Sequence, residues 1–420
     1  MFLSSLSAFL LRKNSKNIAY QSVAQIIPRA VMFVFVLYLA KALGSSEYGK
    51  YEFAVSVGYL VGMFFELGGN MILTKHVARN FYSSIYHAVK IRLISILTAL
   101  VLFYSVLFLL DLYSDIRLYI AYASIGIAFS SMMNLYFAFF RGAGKMNYEA
   151  FTLILQKVLF VVLAIVFLIS DKSGSKAVLA FMLSMIAGFI IVYVIFLKNR
   201  SHYAAQDNRQ EISFKDYLRD VLTLALVDVF SNLYYRLNQV FIEHYRGFEE
   251  VGVYGAAHKI VEVFINFPSI LLIVLFPAFA KLAVDNTKEF RFQFNRILII
   301  LILSGACAGA GSWFLGEYIF ALIGSDYSNS QVILRYLTLP LLFLFPNFLI
   351  TQGLIALDKN LIFAKILFAA LLLNVAMSFY LVPLYGAAGS AISIGICEMI
   401  IFFAGYYFIR KHTGHAAQKA

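Results

Sequence analysis

Twelve stretches of about 20 mainly apolar residues, separated by short polar loops, run almost from end to end of this 420-residue chain. At 1.5 Å rise per residue each is long enough to cross about 30 Å of hydrocarbon as a helix, which satisfies its own backbone polar groups without water. They fall at roughly 18–42, 51–74, 91–112, 119–140, 149–169, 177–197, 219–243, 252–280, 294–315, 332–356, 361–382 and 387–409. The expected fold is therefore an all-α integral membrane protein of about 12 transmembrane helices. Composition excludes a soluble domain: 62% of residues are hydrophobic and 13% charged, against roughly 45–50% and about 25% in globular proteins.

The net charge of +12 does not point to nucleic acid. Its Lys and Arg residues concentrate in alternate loops, around Lys75 to Arg92, Arg141 to Lys145, Lys198 to Arg219 and Lys281 to Arg296, and in the tail with Arg410 and Lys411. That asymmetry fixes topology and places both termini in the cytoplasm. Cys307 and Cys397 lie inside apolar stretches and read as small hydrophobes, so neither a disulfide, a metal site nor a cofactor is expected. Arg12, Lys13 and Lys16 follow the apolar start instead of preceding it, an order that argues against a cleaved signal peptide.

Shifting the chain by 203 residues aligns Gly44-Ser45-Ser46-Glu47-Tyr48-Gly49-Lys50-Tyr51 with Gly247-Phe248-Glu249-Glu250-Val251-Gly252-Val253-Tyr254, giving G-x-x-E-x-G-x-Y twice. Each copy joins the first and second helices of a six-helix half. Six crossings leave both halves in the same orientation, a parallel repeat whose binding site is expected between the halves. The division reads as a cytoplasmic segment 1–17, a lobe 18–197, a mixed-charge cytoplasmic connector 198–218, a second lobe 219–409 and a cytoplasmic tail 410–420.

Ionisable groups inside a span cost roughly 2.5–3.5 kcal/mol on insertion scales, so they mark pathways or internal pairs. Asn17, Gln21, Gln25 and Arg29 recur every fourth residue along the first helix. Asp228, Asn232, Tyr235, Arg236 and Gln239 form a stripe on the seventh, and Tyr254, His258, Glu262, Asn266 and Ser269 form one on the eighth. The second helix adds Glu52, Tyr59 and Glu66. These four helices are expected to face one another around a water-filled cavity. Pro28, Pro268 and Pro277 are expected to bend their helices beside those stripes, as gating elements. Enzyme signatures fail: Gly142-Ala143-Gly144-Lys145 lacks the rest of a phosphate loop, and neither an H-E-x-x-H nor a D-x-D pair is present. Any uphill transport must then draw on an ion gradient or on chemistry elsewhere.

The chain resembles the oligosaccharide-lipid flippases of bacterial polysaccharide assembly, within the multidrug/oligosaccharidyl-lipid/polysaccharide exporter superfamily. The likeness rests on Tyr38-Leu39-Ala40-Lys41-Ala42-Leu43-Gly44 with Tyr48-Gly49-Lys50-Tyr51, on Glu66-Leu67-Gly68, and on Phe140-Arg141-Gly142-Ala143-Gly144-Lys145. The second half adds Val251-Gly252-Val253-Tyr254, Leu275-Phe276-Pro277 and Val382-Pro383-Leu384-Tyr385-Gly386-Ala387-Ala388-Gly389. The resemblance implies two lobes around a cavity that opens alternately to either side of the bacterial inner membrane. It also implies an undecaprenyl-diphosphate-linked oligosaccharide as substrate, with membrane lipid and polysaccharide polymerase machinery as partners. Family cavities are cationic; here Arg29, Arg236 and Lys157 fit, whereas Asp228, Glu262 and Glu66 make the cavity mixed. The arginines are expected to attract phosphate or acidic sugars, and Gln21, Gln25, Tyr59, Asn232, Tyr235, Tyr254 and His258 to line the cavity. Glu66, Asp228 or Glu262 would exchange a proton or sodium ion. The alternatives are a cation-coupled drug exporter of the same superfamily, which would want a net acidic cavity, and a polymerase or ligase acting on the same carrier, which would want large outer loops.

Overall fold

The computed structural model describes residues 15–205, 213–357 and 359–418. The side chains of residues 15–30, which include Gln21, Gln25 and Arg29, and that of Asp228 lie outside the described residues. Among the described residues the chain is helical, with short turns and no strand. The helices are α1 (Ser15–Glu66), α2 (Gly69–Val77), α3 (Ser84–Leu109), α4 (Arg117–Gly142), α5 (Asn147–Ser170), α6 (Gly174–Ala205), α7 (Phe214–Arg246), α8 (Phe248–Asp285), α9 (Thr287–Ile323), α10 (Ser328–Thr338), α11 (Leu341–Ala356), α12 (Asn360–Tyr385) and α13 (Ala387–Gln418). Among the described residues eight helices are long and apolar enough to cross a membrane, and α10 with α11, bent by 48°, make a ninth candidate.

Helices occupy every one of the twelve expected stretches, but three breaks refine the reading. The first two expected spans are one helical run, α1, whose sole non-helical residue is Gly44 (φ 73°, ψ 168°). Only a residue without Cβ adopts that geometry cheaply. The chain was expected to continue helically from 51 to 74, yet Leu67 (φ 45°) and Gly68 (φ 75°) are both left-handed and end α1 after Glu66. Two successive left-handed residues cannot hold the helical ladder. The expected stretch 332–356 is likewise divided, at Leu339 and Pro340, because a proline has no N–H to continue the ladder. The non-helical break in α1 lies at Gly44 and not at Pro28.

The principal contacts between the two halves run through α1, α2 and α3 on one side and α7, α8 and α9 on the other. The lipid-facing side of α3 looks different from these contacts. Along α3, Leu93, Ile94, Leu97, Val101, Leu102, Val106, Phe108 and Leu109 are exposed, as only a helix solvated by hydrocarbon can tolerate.

Candidate functional site: the seam between the halves

The repeated motif sits where the halves meet, and each of its positions has the same task in both copies. Gly247 (φ 82°, ψ 178°) breaks the chain between α7 and α8 with the backbone geometry that Gly44 adopts within α1. The second glycines lie against each other. A Cβ on Gly49 would overlap the Phe248 carbonyl oxygen and lie 3.0 Å from the Gly252 nitrogen, while one on Gly252 would overlap the Ser45 carbonyl oxygen and lie 3.0 Å from the Gly49 nitrogen. The two helices therefore cross backbone to backbone.

The motif glutamates reach sideways. Glu47 accepts from the Gly174 N–H at 2.8 Å, at the start of α6, and from the Tyr119 hydroxyl at 2.8 Å. Glu250 accepts from the Ala387 N–H at 2.7 Å, at the start of α13. A carboxylate at a helix N-terminus satisfies an orphan donor and meets the positive end of the dipole. Tyr51 and Tyr254, the last motif positions, are both buried. At the same end Tyr327 donates to the Ala40 carbonyl at 2.9 Å, Lys41 to the Leu322 carbonyl at 2.9 Å, and Tyr113 to Glu243 at 3.1 Å.

Further along α1 and α8 the seam becomes charged. Tyr48 donates to Glu52 at 2.8 Å. Lys259 stands 3.8 Å from Glu52, across the seam, and 3.1 Å from Glu262 on its own helix. The Arg236 guanidinium lies over the Tyr59 ring, 4.5 Å from its centre, a cation–π contact between the halves. Ser56 hydrogen-bonds to Gln239 across the same seam. The His258 ring stacks on Tyr254 at 5.8 Å, and Lys157 of α5 lies within electrostatic reach of Lys259 and Glu262. Glu262 keeps 51% of its side-chain surface accessible, so its carboxylate is not part of a packed core.

The structure places Tyr59, Arg236, His258 and Glu262 of the stripes along one stretch of the seam, with Lys157, named from the resemblance, within electrostatic reach. Asn232 lies half-buried on the same helix as Arg236. Tyr254 is only 2% exposed and supports His258 from behind in this conformation. Glu66 belongs to a separate network within the first half. It accepts from Asn70 at 3.0 Å and Asn134 at 3.1 Å and lies 3.7 Å from Arg92. Arg92, expected at a loop, is instead in the third turn of α3, 2% exposed, donating to the Ser131 carbonyl and hydroxyl and to Asn70. The helix begins seven residues before the apolar run does, which carries Arg92 inside.

Lys259 and Glu398 are among the interior ionisable residues that the stripes did not single out. Both lie within apolar runs, the signal that identified Arg29 and Glu262, but Lys259 is one position off the eighth-helix stripe and Glu398 has no polar neighbours at helical spacing. Their partners come from other helices, which spacing along one helix does not reveal.

Transporters built from internal repeats place their binding sites between the repeats, and here the repeated junction motif lies at a polar seam. Residues 15–283 match the family described as polysaccharide biosynthesis protein, and the chain belongs to that family; residues 223–380 also match the family MatE. Among curated relatives, the capsular polysaccharide biosynthesis protein CapF of Staphylococcus aureus is 22% identical over 94% of this chain and 99% of its own length. A putative O-antigen transporter of Escherichia coli K12 is 23% identical over 94% of this chain and 97% of its own. The fold is shared with an inward-facing multidrug resistance MATE family transporter of the MOP superfamily (TM-score 0.73, 16% identity, 94% of this chain and 99% of that one) and with the lipid II flippase MurJ in an inward closed conformation (TM-score 0.71, 16% identity, 93% and 87%). The chain is thus a multi-pass helical membrane protein of the polysaccharide biosynthesis family, with a fold shared with MOP-superfamily transporters.

Proposed function

We propose that the protein is a flippase for undecaprenyl-diphosphate-linked oligosaccharide repeat units in the bacterial inner membrane, working by alternating access of lobes 18–197 and 219–409. The observation that supports this reading is the cluster at the seam, where Arg236, Lys259, His258 and Lys157 gather beside the rings of Tyr59 and Tyr254 in a chain of the polysaccharide biosynthesis family. The cations attract the diphosphate, aromatic and amide groups hold the glycan, and the lipid tail stays in the bilayer. Arg29 is assigned to the same seam from its depth in the first helix.

The loop charges support cytoplasmic termini, and with that orientation the motif end of the seam lies on the outer side. The tight Gly49–Gly252 crossing then supports an inward-facing resting state. Reporter fusions after Lys198 and at the C-terminus test this, since a periplasmic signal from either overturns it. Function is tested by deleting the gene and following lipid-linked glycan on the cytoplasmic face, where accumulation is expected. In the restored strain, Arg29→Ala and Lys259→Ala should each reduce surface glycan at least tenfold at normal membrane abundance, while Arg29→Lys retains part. Normal export by well-expressed alanine variants sinks the cationic assignment. Cation-coupled drug export is a second reading, favoured by the carboxylates Glu52 and Glu262 and by the MatE match over 223–380. Increased drug sensitivity with unchanged surface glycan in the deletion strain would select it.

A further inference from the structure

Glu398 lies in α13, 1% exposed, in the second half. Tyr234 of α7 donates to its Oε1 at 3.1 Å, and the Asn347 amide of α11 reaches its Oε2 at 2.7 Å and its backbone carbonyl at 2.8 Å. Tyr235, next on α7, brings its hydroxyl close to the same carboxyl. The titratable groups facing it are Tyr234 and Tyr235 from α7 and Cys397 from its own helix. Among the described residues no Lys, Arg or His pairs with it. Glu66 in the first half has Arg92 for that purpose, and Glu52 and Glu262 have Lys259.

A buried carboxylate with only neutral donors around it keeps its charge unopposed, and the inexpensive way out is to carry a proton. The site is built to serve both states. With the carboxylate, the Asn347 amide donates; with the acid, the amide turned over accepts the carboxyl proton through Oδ1, an atom that is buried and has no hydrogen-bond partner as the amide now stands. The site also has an approach. Tyr235 is 48% exposed and its hydroxyl lies near Glu398, so its side chain connects the buried carboxyl to accessible surface. The Tyr234 ring lies against it at 4.9 Å and is fully buried.

We propose that Glu398 is the proton-binding site of the transport cycle, exchanging its proton with water when the Tyr235 hydroxyl moves aside. One proton is taken up as the carboxylate becomes the acid and released in the reverse step, with no other bond made or broken. The site differs from Glu66, Asp228 and Glu262, the carboxylates that the helix stripes favour for ion coupling. The coupling part rests on the alternating-access reading above; the proton site itself does not.

The decisive measurement is infrared spectroscopy of the purified full-length protein in lipid, titrated with pH, which requires neither substrate nor transport. A carboxylic acid C=O band from a site shielded from water is expected in the unmodified protein. It should fade as pH rises, disappear in Glu398→Gln, and persist in Glu66→Gln and Glu262→Gln. Tyr235→Phe and Asn347→Leu should each shift the band, and they supply the test if Glu398→Gln does not accumulate. Absence of a titrating acid band, its survival in Glu398→Gln, or its indifference to both neighbouring substitutions overturns the proposal. Coupling is read separately: surface glycan should fall at least tenfold in Glu398→Gln. A band that behaves as expected beside normal glycan would leave the proton site standing and overturn its role in transport.

Discussion

Glu66 and Glu398 are both carboxyl groups in the interior of a half, and they are held in opposite ways. Glu66 meets a buried guanidinium, Arg92, which is itself held by Ser131 and Asn70. Glu398 meets two phenols and an amide. At the junctions the halves behave differently again: Gly44 and Gly247, Glu47 and Glu250, Gly49 and Gly252 repeat one another in backbone geometry, helix capping and close approach. The two junctions match in geometry, whereas the carboxyl groups inside the two halves do not match in partners.

The largest effect should come from breaking the shared part. Gly49→Val or Gly252→Val places a branched side chain where a single Cβ already overlaps backbone, and backbone cannot yield as a flexible side chain does. Cysteines at Tyr113 and Glu243, whose side chains touch across the seam, should be bridged by a short bifunctional maleimide in the parent protein. Bridging should fall at least tenfold in either valine variant, together with surface glycan. Parent-like bridging in both would mean that the crossing is not what brings the halves together.

The divergent part should give a smaller and asymmetric effect. Arg92→Ala leaves Glu66 and its amide partners without their cation, and breaking a buried pair costs about 3–5 kcal/mol. Membrane abundance should drop sharply, and adding Glu66→Gln should restore part of it. Glu398→Gln replaces a group that has no cation to strand, and Asn347 can turn its free Oδ1 toward the new amide, so thermal unfolding in detergent should move by less than about 1 kcal/mol equivalent. Equal losses from Arg92→Ala and Glu398→Gln would erase the distinction between the two interiors.

Much of this comparison was written in the sequence, though unevenly. The spans are legible because a bilayer demands about 20 apolar residues whatever their neighbours. The junction motif is legible because Gly44 and Gly247 supply backbone geometry that few other residues tolerate. The helix break at Leu67 is not, since leucine gives no warning of a left-handed conformation. Arg92 looks like a loop cation because its charge lies beside Lys90, whereas the helix that buries it starts at Ser84. Lys259 and Glu398 are visible as charges in apolar runs, but what each does depends on Glu52, Tyr234 and Asn347, more than 50 residues away. Helical spacing finds a face and leaves its partner unnamed.

The smallest expected effect tests whether the two capping glutamates are equivalent. Glu47→Gln and Glu250→Gln both keep an oxygen that accepts from the helix-starting N–H and remove only the charge. The loss is then the carboxylate–dipole part of the cap, about 0.3–1 kcal/mol, plus whatever the neighbouring cation supplied. Glu47 has Lys50 at 2.7 Å and the Tyr119 hydroxyl. Glu250 has Arg246 only at 4.0 Å, and that guanidinium already donates to the Pro383 and Leu384 carbonyls at 2.8 and 3.2 Å. Partly exposed pairs of this kind contribute at most about 1 kcal/mol, so Glu47→Gln should be the more costly by a few tenths. Because Gly49 and Gly252 touch, the two caps hold opposite sides of one crossing, and the double variant should lose more than the sum of the singles. Unfolding temperatures of the two single variants and the double variant in one detergent give that coupling directly. An additive result, within about 0.3–0.5 kcal/mol, would show that each glutamate secures only its own helix and that the crossing does not tie the two caps together.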